Sequence, residues 1–438
     1  MALGAPVERE EQHAQGGSMK RLMWLPFIVF VLVGCFTKGS FAQQALIWRE
    51  VREKFEVNNP TLLAGRIGIE ESRAQELTAF LRPNPTFTAS VDQLHPWKSS
   101  HAYVDTLPIV SLSYLFERRH KRQLRLESAQ KGTAIAISQL ADEQRDLLFS
   151  LRSAFVQVLQ QKAILELAKE NLSYYDRVLQ VSNDRFKAGD IARIDLDRLQ
   201  LQRVTFESDV ETAEVNVRTA KIQLLMLLND RTHVEQFDVV GPFDFSEQIS
   251  PLEEFRRIAL ETRPDLRAVV QSIDQARTNH RLAEANASTD PTIGVDFGRN
   301  TSFQAGYETY VGLSVSIPLR IFDRNQGERL RTQLDILRNE RLRDASEASV
   351  YSDVDSAYAT LNSTLILLRP YKAKYLQQAV TVRDIVTFSY ERGGASLLDF
   401  LQAQNDYRNV QRSYLTLIGS YLSASAQLNL AVGREVME

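Results

Sequence analysis

The chain carries one cysteine, Cys35, in 438 residues. A single thiol excludes a disulfide framework and any metal site built from several thiolates. The six histidines, His13, His95, His101, His120, His233 and His280, are scattered, and with five methionines they form no ligand cluster. Gly-rich phosphate loops, H-E-x-x-H and G-x-S-x-G patterns are missing, so the chain offers no catalytic residues, and no enzyme activity, cofactor or bound metal is expected. A net charge of -3 supplies no basic excess for nucleic acid, so no nucleic-acid partner is expected either. Proline is absent between Pro108 and Pro242, and the only glycines between them are Gly132, Gly189 and Gly241, which directly precedes Pro242. A compact enzyme with many short elements needs turn residues far more often. Long helices are implied.

What is present begins with an export signal. From Met19 two positive charges, Lys20 and Arg21, precede an apolar stretch from Leu22 to Gly34 and a more polar region ending Ser40-Phe41-Ala42. That order is secretory, and about 13 apolar residues are too few to span a bilayer as a helix. Residues 1–42 are thus read as an upstream extension followed by a signal peptide. Two processing sites compete. Leu32-Val33-Gly34-Cys35 resembles a lipobox, in which Cys35 becomes the acylated first residue, whereas Ser40-Phe41-Ala42 suits cleavage before Gln43. The second agrees better with a helix that begins a few residues later. No later segment has the ~18 apolar residues of a membrane helix.

The rest of the chain is written twice. Asn58-Asn59-Pro60-Thr61-Leu62-Leu63-Ala64 is echoed by Thr262-Arg263-Pro264-Asp265-Leu266-Arg267-Ala268, and Asn84-Pro85-Thr86-Phe87 by Asp290-Pro291-Thr292-Ile293. Phe186-Lys187-Ala188-Gly189 with Ile194-Asp195 returns as Tyr390-Glu391-Arg392-Gly393 with Leu398-Asp399. Proline and glycine at the same relative places mark the same backbone punctuation. The repeats are expected at 43–240 and 241–438, each running helix, strand pair, long helical hairpin.

Each repeat holds two stretches of period-two alternation, within about 86–116 and 292–318. Phe87, Ala89 and Val91 alternate with Thr88, Ser90 and Asp92, in a strand expected over Thr86–Leu94. Val110, Leu112, Tyr114 and Phe116 alternate with Ser111 and Ser113. In the second copy Ile293, Val295 and Phe297 alternate with Gly294, Asp296 and Gly298, and Val311, Leu313, Val315 and Ile317 with Gly312, Ser314 and Ser316. This is the pattern of a strand with one apolar and one polar face, and its length also suits a transmembrane barrel. Four strands cannot close a barrel, and an open sheet in lipid leaves backbone groups without partners. Two chains would supply 8 strands, enough only for side-chain filling; three would supply 12 and a lumen.

Thr133–Ala188 contains no glycine or proline, and as one helix would reach about 84 Å. Leu151, Val158, Leu165, Leu172, Leu179 and Phe186 recur every seventh residue, as do Val354, Leu361, Leu368, Tyr375 and Val382. That spacing specifies a coiled coil. Gly189 and Gly393-Gly394 end the long helices, and returning helices are expected over Ile191–Leu228 and Leu397–Leu430. Ser396-Leu397-Leu398-Asp399 fits a capping box. Pro370 is expected to kink or break the second long helix.

Together these residues resemble the outer-membrane efflux proteins of the TolC type, over about residues 45–430. The resemblance rests on the Asn-Pro-Thr-Leu-Leu opening, the strand pairs after Arg82-Pro83-Asn84-Pro85, the doubled Phe/Tyr-x-x-Gly turns and the duplication. It implies a mainly α chain with four β-strands, assembled as a homotrimer with a 12-stranded β-barrel in outer-membrane lipid on a 12-helix α-barrel across the periplasm. It further implies the exit duct of a tripartite efflux pump or type I secretion system, partnered by a periplasmic adaptor and an inner-membrane transporter. The length and early start of the first helix look most like the heavy-metal efflux branch. Acidic residues ring the periplasmic entrance in that family. Asp399 matches one such position, whereas Gln402 stands where a second acid is expected, which would reduce the charge of the ring. Asp195 is the counterpart of Asp399 in the first copy. For both aspartates a purely capping role is the alternative, because an acid in the first helical turn is stabilised by the helix dipole without any pore. The competing reading of the whole chain is a periplasmic coiled-coil adaptor, which would normally carry one hairpin rather than two.

Overall fold

The structure, a computed structural model, describes residues 45–92, 106–299 and 308–437. Cys35, the export segment, His95 and His101 lie outside them. In chain order the elements are α1 (Trp48–Asn58), α2 (Pro60–Phe80), β1 (Thr86–Asp92), β2 (Leu107–Leu115), α3 (Lys121–Ala188), α4 (Arg193–Leu227), α5 (Leu252–Thr262), α6 (Pro264–Asn286), β3 (Thr292–Arg299), β4 (Thr309–Ser316), α7 (Gln326–Pro370), a π turn (Tyr371–Tyr375), α8 (Leu376–Glu391) and α9 (Leu397–Val432).

The opening helix expected in each repeat is two helices. A residue before proline is driven out of the helical region, and Asn59 and Arg263 take ψ of 120° and 122°. Pro60 and Pro264 then start α2 and α6, where a missing N–H leaves no intrahelical bond unmade. The Asn59 side chain caps α2 by accepting from the Thr61 and Leu62 amides at 3.0 and 3.1 Å.

The long helix of the first repeat starts at Lys121, not Thr133, and runs 68 residues through Gly132. That glycine is a close approach rather than a breaker: an added Cβ would press on Gln275 Nε2 of α6, which donates to the Ser128 carbonyl at 3.1 Å. The residue before α3, His120, sits at φ 56°, and Asn325 before α7 sits at φ 59°. The duplication therefore reaches left-handed residues that carry no shared letter. Pro370 does not break the second long helix. The chain passes through the π turn straight into α8, and Tyr371 stacks on Tyr414 of α9 at 6.5 Å. A wider turn accommodates the hydrogen bond that proline cannot donate.

The heptad series holds only in the upper halves of the hairpins. Leu151 and Val158, and Val354, Leu361 and Leu368, are buried. Nearer the tip the buried residues of α3 are Tyr175, Val178 and Ser182, while Leu172 and Leu179 only flank the core. Tyr375 and Val382 are exposed. The 3–4 spacing of 175, 178 and 182 is the stripe buried here, with Tyr175 between Phe206 of α4 and Phe400 of α9, and period alone does not select between adjacent stripes.

Two related cores lie where the repeats join. One gathers Val51, Phe55, Leu151, Phe155, Leu224 and Phe237; the other gathers Phe255, Ile258, Val354, Leu361, Ile418 and Leu428. The chain enters this belt at Leu46, which pairs in parallel with Val239: Leu46 N donates to the Asp238 carbonyl and Val240 N to the Leu46 carbonyl, both at 3.0 Å. Among the described residues no helix is long and apolar enough to cross a membrane, which says nothing of a barrel.

Candidate functional site: the sheet and the hairpin tips

The four strands form one antiparallel sheet in the order β1-β2-β3-β4. β2 starts at Leu107 and ends at Leu115, so Phe116 lies outside it, and Ile317 lies beyond β4. Leu94, expected within β1, falls outside the described residues. Register aligns Phe87, Leu112, Val295 and Leu313 across the sheet, and likewise Ala89, Val110, Phe297 and Val311. One face is thus apolar from edge to edge, and in β2 and β3 it is the more exposed one, while β1 and β4 are open to solvent on almost every side chain; Leu313 is 83% accessible. The opposite face carries Ser111, Ser113, Gly294, Asp296, Gly298 and Ser314. It is crowded, because a Cβ at Gly294 would collide with the Ser314 hydroxyl and one at Gly298 with the Tyr310 ring. Crowding on the polar side and exposure on the apolar side describe a sheet curled with its polar face inward. Water would reward the reverse, and lipid rewards this arrangement. β1 and β4 each pair with a single neighbour, leaving two open edges for strands of other chains.

The hairpin tips are built by left-handed glycines. Gly189 takes φ 85°, and Asp190 N donates to the Arg185 carbonyl at 2.9 Å to close α3. Gly393 takes φ 78°, and Gly394 N donates to the Ser389 carbonyl at 2.7 Å. These φ values are those of a helix C-terminus that only glycine adopts without strain. α9 then opens on the expected capping box: Asp399 N donates to Ser396 Oγ, and Ser396 N donates to Asp399 Oδ2, both at 3.1 Å. Hydrogen bonds from the Ser396 hydroxyl and amide hold the exposed Asp399 carboxyl below the usual carboxylate range. Asp195 occupies the first turn of α4, 3.9 Å from Arg198.

Behind the tips an aromatic column ties the two hairpins together. Tyr175 of α3 stacks on Phe206 of α4 at 4.5 Å and lies 6.3 Å from Phe400 of α9, which stacks on Tyr390 of α8 at 4.9 Å. Arg185 Nη1 donates to the Tyr390 carbonyl at 2.8 Å, and Arg408 of α9 pairs with Asp209 of α4 at 2.7 Å. Burial pushes the pKa of the Tyr390 hydroxyl up, against the opposing effects of the Ser182 hydroxyl and the Arg185 guanidinium.

The structure brings Gly189, Asp195, Gly393, Gly394 and Asp399 to this one end of the helices. Gln402 is there as well, but not alone: its Nε2 donates to Asp406 Oδ1 at 2.8 Å. Asp406 went unnoticed in the sequence, although its spacing of four from Gln402 is the signal that two helical side chains meet. The acid missing at 402 is therefore present one turn further from the tip. The aromatic column was equally invisible, since Tyr175, Phe206, Tyr390 and Phe400 are distant in sequence.

A lipid-facing sheet with open edges and duplicated helical hairpins restricts the comparison to one kind of protein. The profile described as "Outer membrane efflux protein" matches residues 51–230 and 256–434, one match per repeat. The chain belongs to the outer membrane efflux protein family. Among curated relatives, it is 23% identical to the cobalt-zinc-cadmium resistance protein CzcC of Cupriavidus metallidurans, covering 86% of this chain and 87% of that one. It is 22% identical to the outer membrane protein TolC of Escherichia coli, covering 95% and 87%. Among solved structures, the open state of the MtrE outer membrane channel of Neisseria gonorrhoeae superposes with a TM-score of 0.71 at 18% identity, covering 89% of each chain. This efflux protein is an outer-membrane channel that extends into the periplasm, and the adaptor reading is not favoured.

Proposed function

We propose that three copies of the efflux protein close a 12-stranded barrel and form a passive exit duct, docked by its hairpin tips to a periplasmic adaptor and through it to an inner-membrane transporter. The observation that carries this reading is the four-stranded sheet with an exposed apolar face, a crowded polar face and two open edges. Three copies satisfy every edge and leave a lumen. Asp399, Asp195 and Asp406 would then line the periplasmic entrance, with Asp399 serving both as cap and as charge. Likeness to a cobalt-zinc-cadmium resistance protein along most of the chain supports divalent metal cations as cargo.

Planar-bilayer recording tests the entrance. Asp399→Ala should lower cation preference or alter conductance, and unchanged conductance and selectivity would leave Asp399 a cap alone. Cargo is tested by deleting the gene and scoring growth on zinc, cobalt and cadmium beside a panel of organic drugs. Sensitivity to the metals but not the drugs is expected, and the reverse pattern would refute metal cargo.

A further inference from the structure

We infer that the barrel carries a selectivity element of its own in the second repeat: Asp296 supplies its charge and Tyr310 bounds its bore, each given room along the wall by a glycine of the facing strand. The inference rests on the three-copy duct proposed above. On the polar face β3 and β4 meet in direct cross-strand pairs, Gly294 with Ser314, Asp296 with Gly312 and Gly298 with Tyr310. Each pair sets one glycine against one side chain. In the first repeat the same face pairs Thr86 with Ser113 and Thr88 with Ser111, side chain against side chain.

Directly paired residues keep their Cβ atoms about 4.5–5.5 Å apart, so two side chains must both stand up from the sheet, whereas one beside a glycine can lie down across it. The second repeat uses that freedom. An added Cβ at Gly298 would fall among the Cε1, Cζ and hydroxyl atoms of Tyr310, so the ring lies over the glycine backbone. Gly294 is covered in the same way by the Ser314 hydroxyl, and both glycines are buried. At Gly312 an added Cβ would stand 3.6 Å from Asp296 Oδ2, which keeps the carboxylate alongside that glycine.

β1 and β3 begin, and β2 and β4 end, on the side of the sheet joined to α2, α3, α6 and α7. Tyr310 sits at the other end of β4, at the mouth away from the helices. A solute entering there passes Tyr310, then Gly312 with Asp296 opposite, then Ser314. Among the described strand residues the charged side chains of the polar face are Asp92, at the outer end of β1, and Asp296, in the middle of β3, and no Lys or Arg joins them. Three copies bring three Asp296 carboxylates into a lumen with low-dielectric walls, which concentrates cations and repels anions. This charge is separate from the aspartates at the hairpin tips.

Ser314→Cys places a thiol on the polar face just inside Asp296, and its modification by reagents added outside intact cells can be read by mass spectrometry of the peptide that holds it. A small cationic methanethiosulfonate should outrun an anionic one of equal size. One carboxylate about 7 Å away changes the local concentration of a monovalent ion roughly twofold in each direction at low salt, so Asp296→Asn should lower the ratio of the two rates about fivefold. Gly298→Ala should slow a bulky maleimide severalfold by lifting the Tyr310 ring off the wall, and Gly298→Ala with Tyr310→Ala should restore the parental rate. Tyr310→Trp, too large for the space over one glycine, should slow the same reagent with Gly298 intact, which keeps the bore testable if Gly298→Ala does not assemble. An unchanged charge ratio in Asp296→Asn, or a bulky-reagent rate unmoved by Gly298→Ala and Tyr310→Trp, would overturn the inference while leaving the duct in place. Leu313→Cys on the opposite face is the control: reaction at 313 with none at 314 would mean that the polar face lines no lumen, and would sink the duct reading itself.

Discussion

The hairpin tips should owe their closed packing to Phe400. Its ring is fully buried, stacks on Tyr390 at 4.9 Å and reaches Tyr175 at 6.3 Å, so one side chain joins α9 to both α8 and α3. Phe400→Ala removes a buried aromatic and leaves a cavity, at a cost of about 3–5 kcal/mol. The tip lies far along the hairpins from the two belt cores, and its cluster shares no residue with them. The loss should therefore fall on local opening rather than on global unfolding. At about 1.4 kcal/mol per decade, amide hydrogen exchange in peptides spanning 172–206 and 386–408 should accelerate on the order of a hundredfold or more. Peptides around Phe155 and Leu361 should keep their parental rates. Acceleration below threefold at the tip, or equal acceleration in the belt, would refute the claim that this column is a separately cooperative lock.

Leu313→Arg places a charge on the exposed apolar face and should cost about 2–4 kcal/mol if the residue sits near mid-bilayer, reducing heat-resistant trimer on unboiled gels. Ser314→Thr on the polar face should leave the trimer band unchanged. Gln402→Glu sets a second carboxylate against Asp406 in place of their hydrogen bond and should raise cation preference in bilayer recordings; an unchanged reversal potential would place this pair outside the conduction path. Burial pushes the Asp230 carboxyl up, but hydrogen bonds from Lys54 and from the Thr232 hydroxyl and amide outweigh it and hold the pKa at about 2. The folded pKa lies below the ordinary value of about 3.9, so this contribution is present above that pH and is lost as pH falls through about 2. Asp230→Asn should thus flatten acid unfolding between these values when followed by circular dichroism, and an acid midpoint identical to the parent's would contradict the assignment.

Much of this protein could be read from its letters because its signals are local. Alternation at 292–298 and 311–315 marks strands, Gly189 and Gly393 mark tips, and Ser396 with Asp399 marks a cap; each depends on a few neighbouring residues. The duplication was equally accessible, since two copies of one unit repeat their prolines and glycines. Other features rest on contacts between distant segments. Gly132 bounds the expected long helix at Thr133 until α6 is seen against it. Pro370 reads as a kink until the π turn and Tyr414 take up the difference. The heptad through Leu172 and Leu179 and the stripe through Tyr175, Val178 and Ser182 differ in which one the packed helices bury.

By itself, then, the sequence determined the kind of elements, their order and their twofold repetition, because propensity, periodicity and turn chemistry act over one or two turns. Only the tertiary structure decided the side of the sheet that faces outward, the register that makes one face apolar from edge to edge, and the aromatic column behind the tips. Alternation is read over a few residues, whereas the face a strand turns outward depends on partners that pair with it from the other repeat.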